Sequence, residues 1–139
     1  EAFAIGYYLN DDWMIFISRS YLTQRPFSNE DKSFSANTMG IKKFVTEIFY
    51  GKLGFSNRDI SISDGASQYL SATVATLDFT VGLQKEISGF TYGVDIIGFY
   101  SQPIAKTIKD DTLTSDDTRS SVLSKARVKS MNLFVGWKF

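Results

Sequence analysis

The sequence predicts an all-β fold, an antiparallel up-and-down transmembrane β-barrel of about eight strands, and three observations carry that expectation. Apolar and polar residues alternate with a period of two in most segments, the spacing that places successive side chains on opposite faces of a strand. Aromatic residues make up 15% of the 139 positions, with 12 Phe and 7 Tyr against only 2 Pro. Short turns and long polar stretches alternate as connections, an asymmetry characteristic of barrels that cross a membrane. The length accommodates one domain, residues 1–139.

The elements follow in order. In the segment 1–9, Phe3, Ile5, Tyr7 and Leu9 oppose Ala2, Ala4, Gly6 and Tyr8. A short turn at Asn10-Asp11-Asp12 leads to a strand over 13–22, and a long polar stretch, 23–33, follows it. Strands over 34–43 and 45–56 flank a turn near Lys42-Lys43-Phe44. For 13–22 and 45–56 both faces carry apolar residues, so alternation alone leaves the lipid-facing side open. After a second long stretch, 57–67, residues 77–83 set Leu77, Phe79, Val81 and Leu83 against Asp78, Thr80 and Gly82. A turn at Lys85-Glu86-Ile87-Ser88 joins this to 90–96, where Phe90, Tyr92, Val94 and Ile96 oppose Thr91, Gly93 and Asp95. The third long stretch is 101–120, and the last strand, 131–139, alternates most cleanly. This reading contains seven strands, whereas single-chain barrels usually have an even number. An eighth lies upstream of Glu1 or inside a long stretch, where Ile104–Thr114 is the candidate.

Composition excludes several kinds of chemistry. There are 15 Lys+Arg against 15 Asp+Glu, so the chain has no overall basic field for nucleic acid. It contains no His and no Cys, which removes imidazole bases, thiol nucleophiles, disulfides and most zinc sites. No metal, cofactor or enzymatic activity is expected. No apolar run approaches the ~20 residues of a transmembrane helix.

The last nine residues, Met-Asn-Leu-Phe-Val-Gly-Trp-Lys-Phe, resemble the C-terminal assembly signal of outer-membrane proteins. Phe139 matches the terminal aromatic, and Trp137, Val135, Leu133 and Met131 match the alternating apolar positions. The Val-Gly-Trp-Lys-Phe ending is similar to those of small bacterial outer-membrane barrels of the OmpA membrane domain, OmpX/Ail and opacity-protein type. That resemblance implies outer-membrane localisation and recognition by the barrel-assembly machinery. Families of small barrels that deacylate or acylate lipid A use a His with a Ser, and this chain has no His.

Two sets of charged residues stand out. If 77–83 and 90–96 form a hairpin, Asp78 and Asp95 face each other in the lumen, where like charges need counter-charges. Arg19, Lys52 and Lys138 are the expected partners in a lumen charge network. Lys125, Arg127 and Lys129 continue the outward register of Met131, Leu133 and Val135, at headgroup height, where lipopolysaccharide phosphates are met. A β-bulge near Ser130 would turn them elsewhere.

The functional expectation is a non-enzymatic outer-membrane barrel whose loops serve binding, adhesion or envelope stabilisation, in contact with outer-membrane lipid. A small-solute channel and a soluble lipocalin-like ligand-binding barrel are the alternatives. The sequence names no extracellular ligand.

Overall fold

The computed structural model describes residues 2–24, 31–63, 69–112, 127–129 and 131–137. Its strands are β1 (Ala2–Tyr8), β2 (Trp13–Gln24), β3 (Asp31–Phe44), β4 (Phe49–Ser63), β5 (Tyr69–Ile87), β6 (Phe90–Tyr100), β7 (Ala105–Asp111), β8 (Arg127–Lys129) and β9 (Asn132–Trp137). They form one antiparallel up-and-down sheet curled into a half-barrel.

β6 and β7 lie along the same edge of β5, β6 against Asp78–Ile87 and β7 against Leu70–Ala75. They act as one strand interrupted at residues 101–104. β8 and β9 share an edge of β6 in the same way. The nine segments therefore occupy seven rungs. The candidate Ile104–Thr114 does contain a strand, but it prolongs the sixth rung and adds no eighth. Every pairing is antiparallel, so β1 and β9 point the same way. Antiparallel closure of one on the other takes a strand running in the opposite direction.

The turns at one end are tight, and each has a local cause. Asn10 Oδ1 accepts the backbone N–H groups of Asp12 at 3.0 Å and Trp13 at 2.9 Å, an Asx turn. Thr46 Oγ1 accepts from Phe49 N at 3.0 Å and so closes the turn at residues 45–48. Ser88 and Gly89, with φ of 52° and 81°, make a two-residue hairpin turn whose backbone matches the strand twist. Two expectations are corrected here. β3 runs through Lys42-Lys43-Phe44, and β5 holds Lys85, Glu86 and Ile87, because the Thr46 and Ser88-Gly89 turns lie further along.

At the other end the strands are longer than expected. β4 continues to Ser63 and β5 starts at Tyr69, so most of the 57–67 stretch is strand. Likewise β2 reaches Gln24, β3 begins at Asp31, and 105–111 is strand.

These extensions alternate with the opposite polarity. On β5, Leu77, Phe79 and Leu83 point outward while Thr76, Asp78, Thr80 and Gln84 are buried inward. Further up the same strand, Leu70, Ala72 and Val74 are buried inward and the outward positions are Ser71 and Thr73. β4 changes from outward Leu53 and Phe55 to outward Asn57 and Asp59, with Ile60 and Ile62 buried inside. β3 changes from outward Met39 and Ile41 to Asn37, with Ala36 inside. The register aligns Asn37 with Asn57 and Asn57 with Ala75, so the exchange occurs at one level across the sheet.

Above that level, Ile60, Ile62, Leu70, Ala72 and Val74 form an apolar cluster with Phe34 against it. Burial of each large side chain contributes about 1.5–3 kcal/mol. Below it the outward row of β5 is apolar from Leu77 to Leu83, with Lys85 between that run and Ile87. The unbroken run is about 20 Å along the strand, or about 15 Å high at a tilt of ~40°.

One bulge breaks the expected period. The β5–β6 register shifts between Val81 and Gly82, so Asp95 pairs with Gly82 and Ile97 with Val81. Ile96 is the extra residue, and both Ile96 and Ile97 are exposed.

Candidate functional site: the polar interior and its outer rim

The inward row below the exchange level is built of charged and hydroxyl residues, and they bond one another. Arg58 Nη2 lies 2.6 Å from Asp78 Oδ2. Ser56 Oγ donates to the same oxygen at 2.7 Å, and Thr76 Oγ1 donates to Oδ1 at 3.0 Å. Arg58 Nε donates to Thr76 Oγ1 at 3.0 Å, and its guanidinium stands 4.1 Å from the Tyr100 ring centroid. A buried carboxylate is tolerated only when satisfied in this way.

A second set lies nearer the tight turns. Asp95 Oδ1 accepts from the Tyr50 hydroxyl at 2.5 Å and pairs with Lys52 Nζ at 2.8 Å. Gly82 makes this possible, since a Cβ there would collide with the Tyr50 hydroxyl and the Val94 carbonyl.

The third set surrounds Lys42, which is 3% exposed. Its ammonium donates to Gln84 Oε1 and lies 3.7 Å from the Tyr50 ring centroid and 5.3 Å from that of Phe134. No carboxylate bonds it directly among the described residues. The amide and the ring faces offset its desolvation instead. Phe134 belongs to β9, so the last strand is tied across the interior to β3 and β4.

Asp78 and Asp95 both reach the interior, as expected, but do not face each other. Asp78 pairs with Tyr100 and Asp95 with Gly82, four residues along β5 or about 13 Å. Each has its own cation, so the expected like-charge conflict does not arise. Lys52 takes its expected place. Arg19 does not: it pairs with Asn37 on the outer face. Lys138 lies outside the described residues. Arg58 and Lys42 are the interior cations that the sequence reading missed. Both share the inward parity of their strands, a signal hidden because 57–67 and Lys42-Lys43-Phe44 were read as connections.

Met131, Leu133, Val135 and Trp137 are all exposed on the outside, Leu133 at 85%. Phe139 and Lys125 lie outside the described residues. The backbone of Arg127 pairs with Tyr100 and that of Lys129 with Gly98.

On the outer face just above the apolar band, Asp59 Oδ1 accepts from Thr73 Oγ1 at 2.6 Å and from Lys109 Nζ at 3.2 Å. The Thr73 hydrogen bond, then Lys109, holds the Asp59 carboxyl below its ordinary range, and Arg19 adds to this. Among the described residues no group of three potential metal ligands comes together. Comparison with family models, curated proteins and solved structures found no match to this chain.

Proposed function

We propose that this chain is a non-enzymatic integral barrel of a bacterial outer membrane, whose extended loop end provides a surface for binding, adhesion or envelope stabilisation. The carrying observation is the exchange of face polarity at one level across β3, β4 and β5. A soluble barrel of lipocalin type keeps its apolar residues inside throughout. Here the turn half does the reverse, apolar outside and charged inside, which suits lipid around a polar interior. The loop half returns to the ordinary arrangement, which suits water. The outward row of Met131, Leu133, Val135 and Trp137 also supports the reading, with the barrel-assembly machinery as the partner that reads it. The test is solubility and gel mobility. The folded chain requires detergent and migrates differently before and after boiling; a water-soluble monomer with the same strand content would refute the assignment.

A small-solute channel is the second reading, and the charged interior favours it. Against it, Arg58 and Lys52 are paired with Asp78 and Asp95, and the Ile60, Ile62, Leu70, Ala72 and Val74 cluster lies above them. A stable step-like current in a planar bilayer would establish the channel; silence from protein shown to be inserted supports the binding barrel.

A further inference from the structure

The outward residues above the apolar band form a two-level row across five strands: Arg19 on β2 opposite Asn37 on β3 and, two residues nearer the loop end, Asp59 on β4 opposite Thr73 on β5, with Lys109 of β7 bonded to Asp59. We infer that this row binds the sugar-phosphate headgroup of an anionic outer-leaflet glycolipid, of the lipopolysaccharide class. The inference rests on the membrane reading above and deepens it by placing one partner on named residues.

Height comes first. Arg19 is two residues beyond the outward Ile17, about 7 Å along β2. Thr73 is four residues beyond the outward Leu77, about 13 Å along β5. Allowing for a ~40° tilt, the row stands about 5 to 10 Å above these apolar residues, from the headgroup layer to its aqueous edge. An acyl chain against Ile17, Met39, Phe55 and Leu77 would carry its headgroup to this row.

Charge is the second argument. The single carboxylate in the row, Asp59, is held by Thr73 and Lys109 and presents little unsatisfied negative charge. Arg19 stands exposed on the same outer face, which leaves two cations against one acid. A guanidinium suits a phosphate because it can donate two parallel hydrogen bonds. The remaining members, Asn37 and Thr73, are an amide and a hydroxyl on a pleated surface, groups that exchange hydrogen bonds readily with sugar hydroxyls.

The test uses the full chain refolded in zwitterionic micelles and titrated with purified lipopolysaccharide at low salt. A double variant, Arg19→Gln with Lys109→Gln, is expected to bind roughly ten- to thirtyfold more weakly than wild type, since two near-surface cations are removed. Lys43→Gln, at the tight-turn end, is expected to bind as wild type does. Dephosphorylated lipopolysaccharide should abolish most of the difference between wild type and the double variant. If the double variant inserts and binds with unchanged affinity, the headgroup site is wrong while the membrane reading stands. If the wild type stays a water-soluble monomer and does not enter micelles, both fail.

Discussion

Arg58 and Asp78 meet at 2.6 Å in the interior, Arg58 one residue pair above and Asp78 three below the Asn57–Ala75 level at which the sheet exchanges its polar and apolar faces. Val74, the residue opposite Arg58, already belongs to the apolar cluster. The pair thus closes the polar half of the interior against the dry half, and removing one member strands the other charge.

Arg58→Met alone is therefore expected to cost about 3–5 kcal/mol, the range for breaking a buried ion pair from one side. Arg58→Met combined with Asp78→Leu should recover most of that loss. Urea unfolding in detergent micelles, followed by tryptophan fluorescence, measures both. Equal destabilisation by the single and double variants would show that the pair is not the unit.

Phe134 and Leu133 are neighbours on β9 with opposite surroundings. Phe134 packs inward on Tyr50 and near the Lys42 ammonium, whereas Leu133 is 85% exposed. Phe134→Ala should lower stability by about 3 kcal/mol, and Leu133→Ala in micelles by about a third of that or less. Unfolding midpoints compared side by side decide it, and the reverse ranking would contradict the assignment of faces.

Much of the turn half was legible in the sequence because its signal is local. Leu77 to Leu83 and Met131 to Trp137 alternate strictly, and a strand needs nothing else to declare its faces. The loop half was not legible, because Ser71 and Thr73 outside with Leu70, Ala72 and Val74 inside reverse the polarity that marks the turn half of the same strands. Read with one polarity throughout, such a segment looks like a solvated loop. That is how Arg58, between Asn57 and Asp59, escaped notice. Val45 and Ile48 misled in the other direction, since two apolar residues in a turn imitate the start of a strand. Parity places Ile96 on the face of Phe90, Tyr92 and Val94, and no sequence feature marks it as the bulge.

The hairpin at Ser88-Gly89 offers a backbone test. Gly89 has a φ of 81°, where an L side chain is strained, so Gly89→Ala should cost about 1–2 kcal/mol. Ser88, at φ 52°, is itself strained, and Ser88→Asn is expected to stabilise slightly, since Asn accepts that region more readily. Both are read from unfolding curves. A neutral Gly89→Ala would mean that the turn is not of this type.

Asp59 provides a pH dependence. Its folded carboxyl lies below the ordinary range, chiefly through Thr73 and then Lys109. Its contribution is therefore present above the unfolded carboxylate pKa of about 3.9 and lost as pH falls through the lower folded value. The group is largely exposed, so the effect is small. Asp59→Asn should flatten the stability profile below about pH 4 and leave it unchanged in shape above pH 5. A profile identical to wild type at acid pH would contradict the bonding seen around Asp59.

Spin labels placed singly at residues 53, 79, 59 and 73 report whether the faces exchange at a membrane boundary. In reconstituted bilayers, labels at 53 and 79 should be quenched by oxygen dissolved in the lipid. Those at 59 and 73 should be quenched by a water-soluble nickel chelate. Equal access of the nickel chelate to all four positions would rule out a membrane boundary at this level.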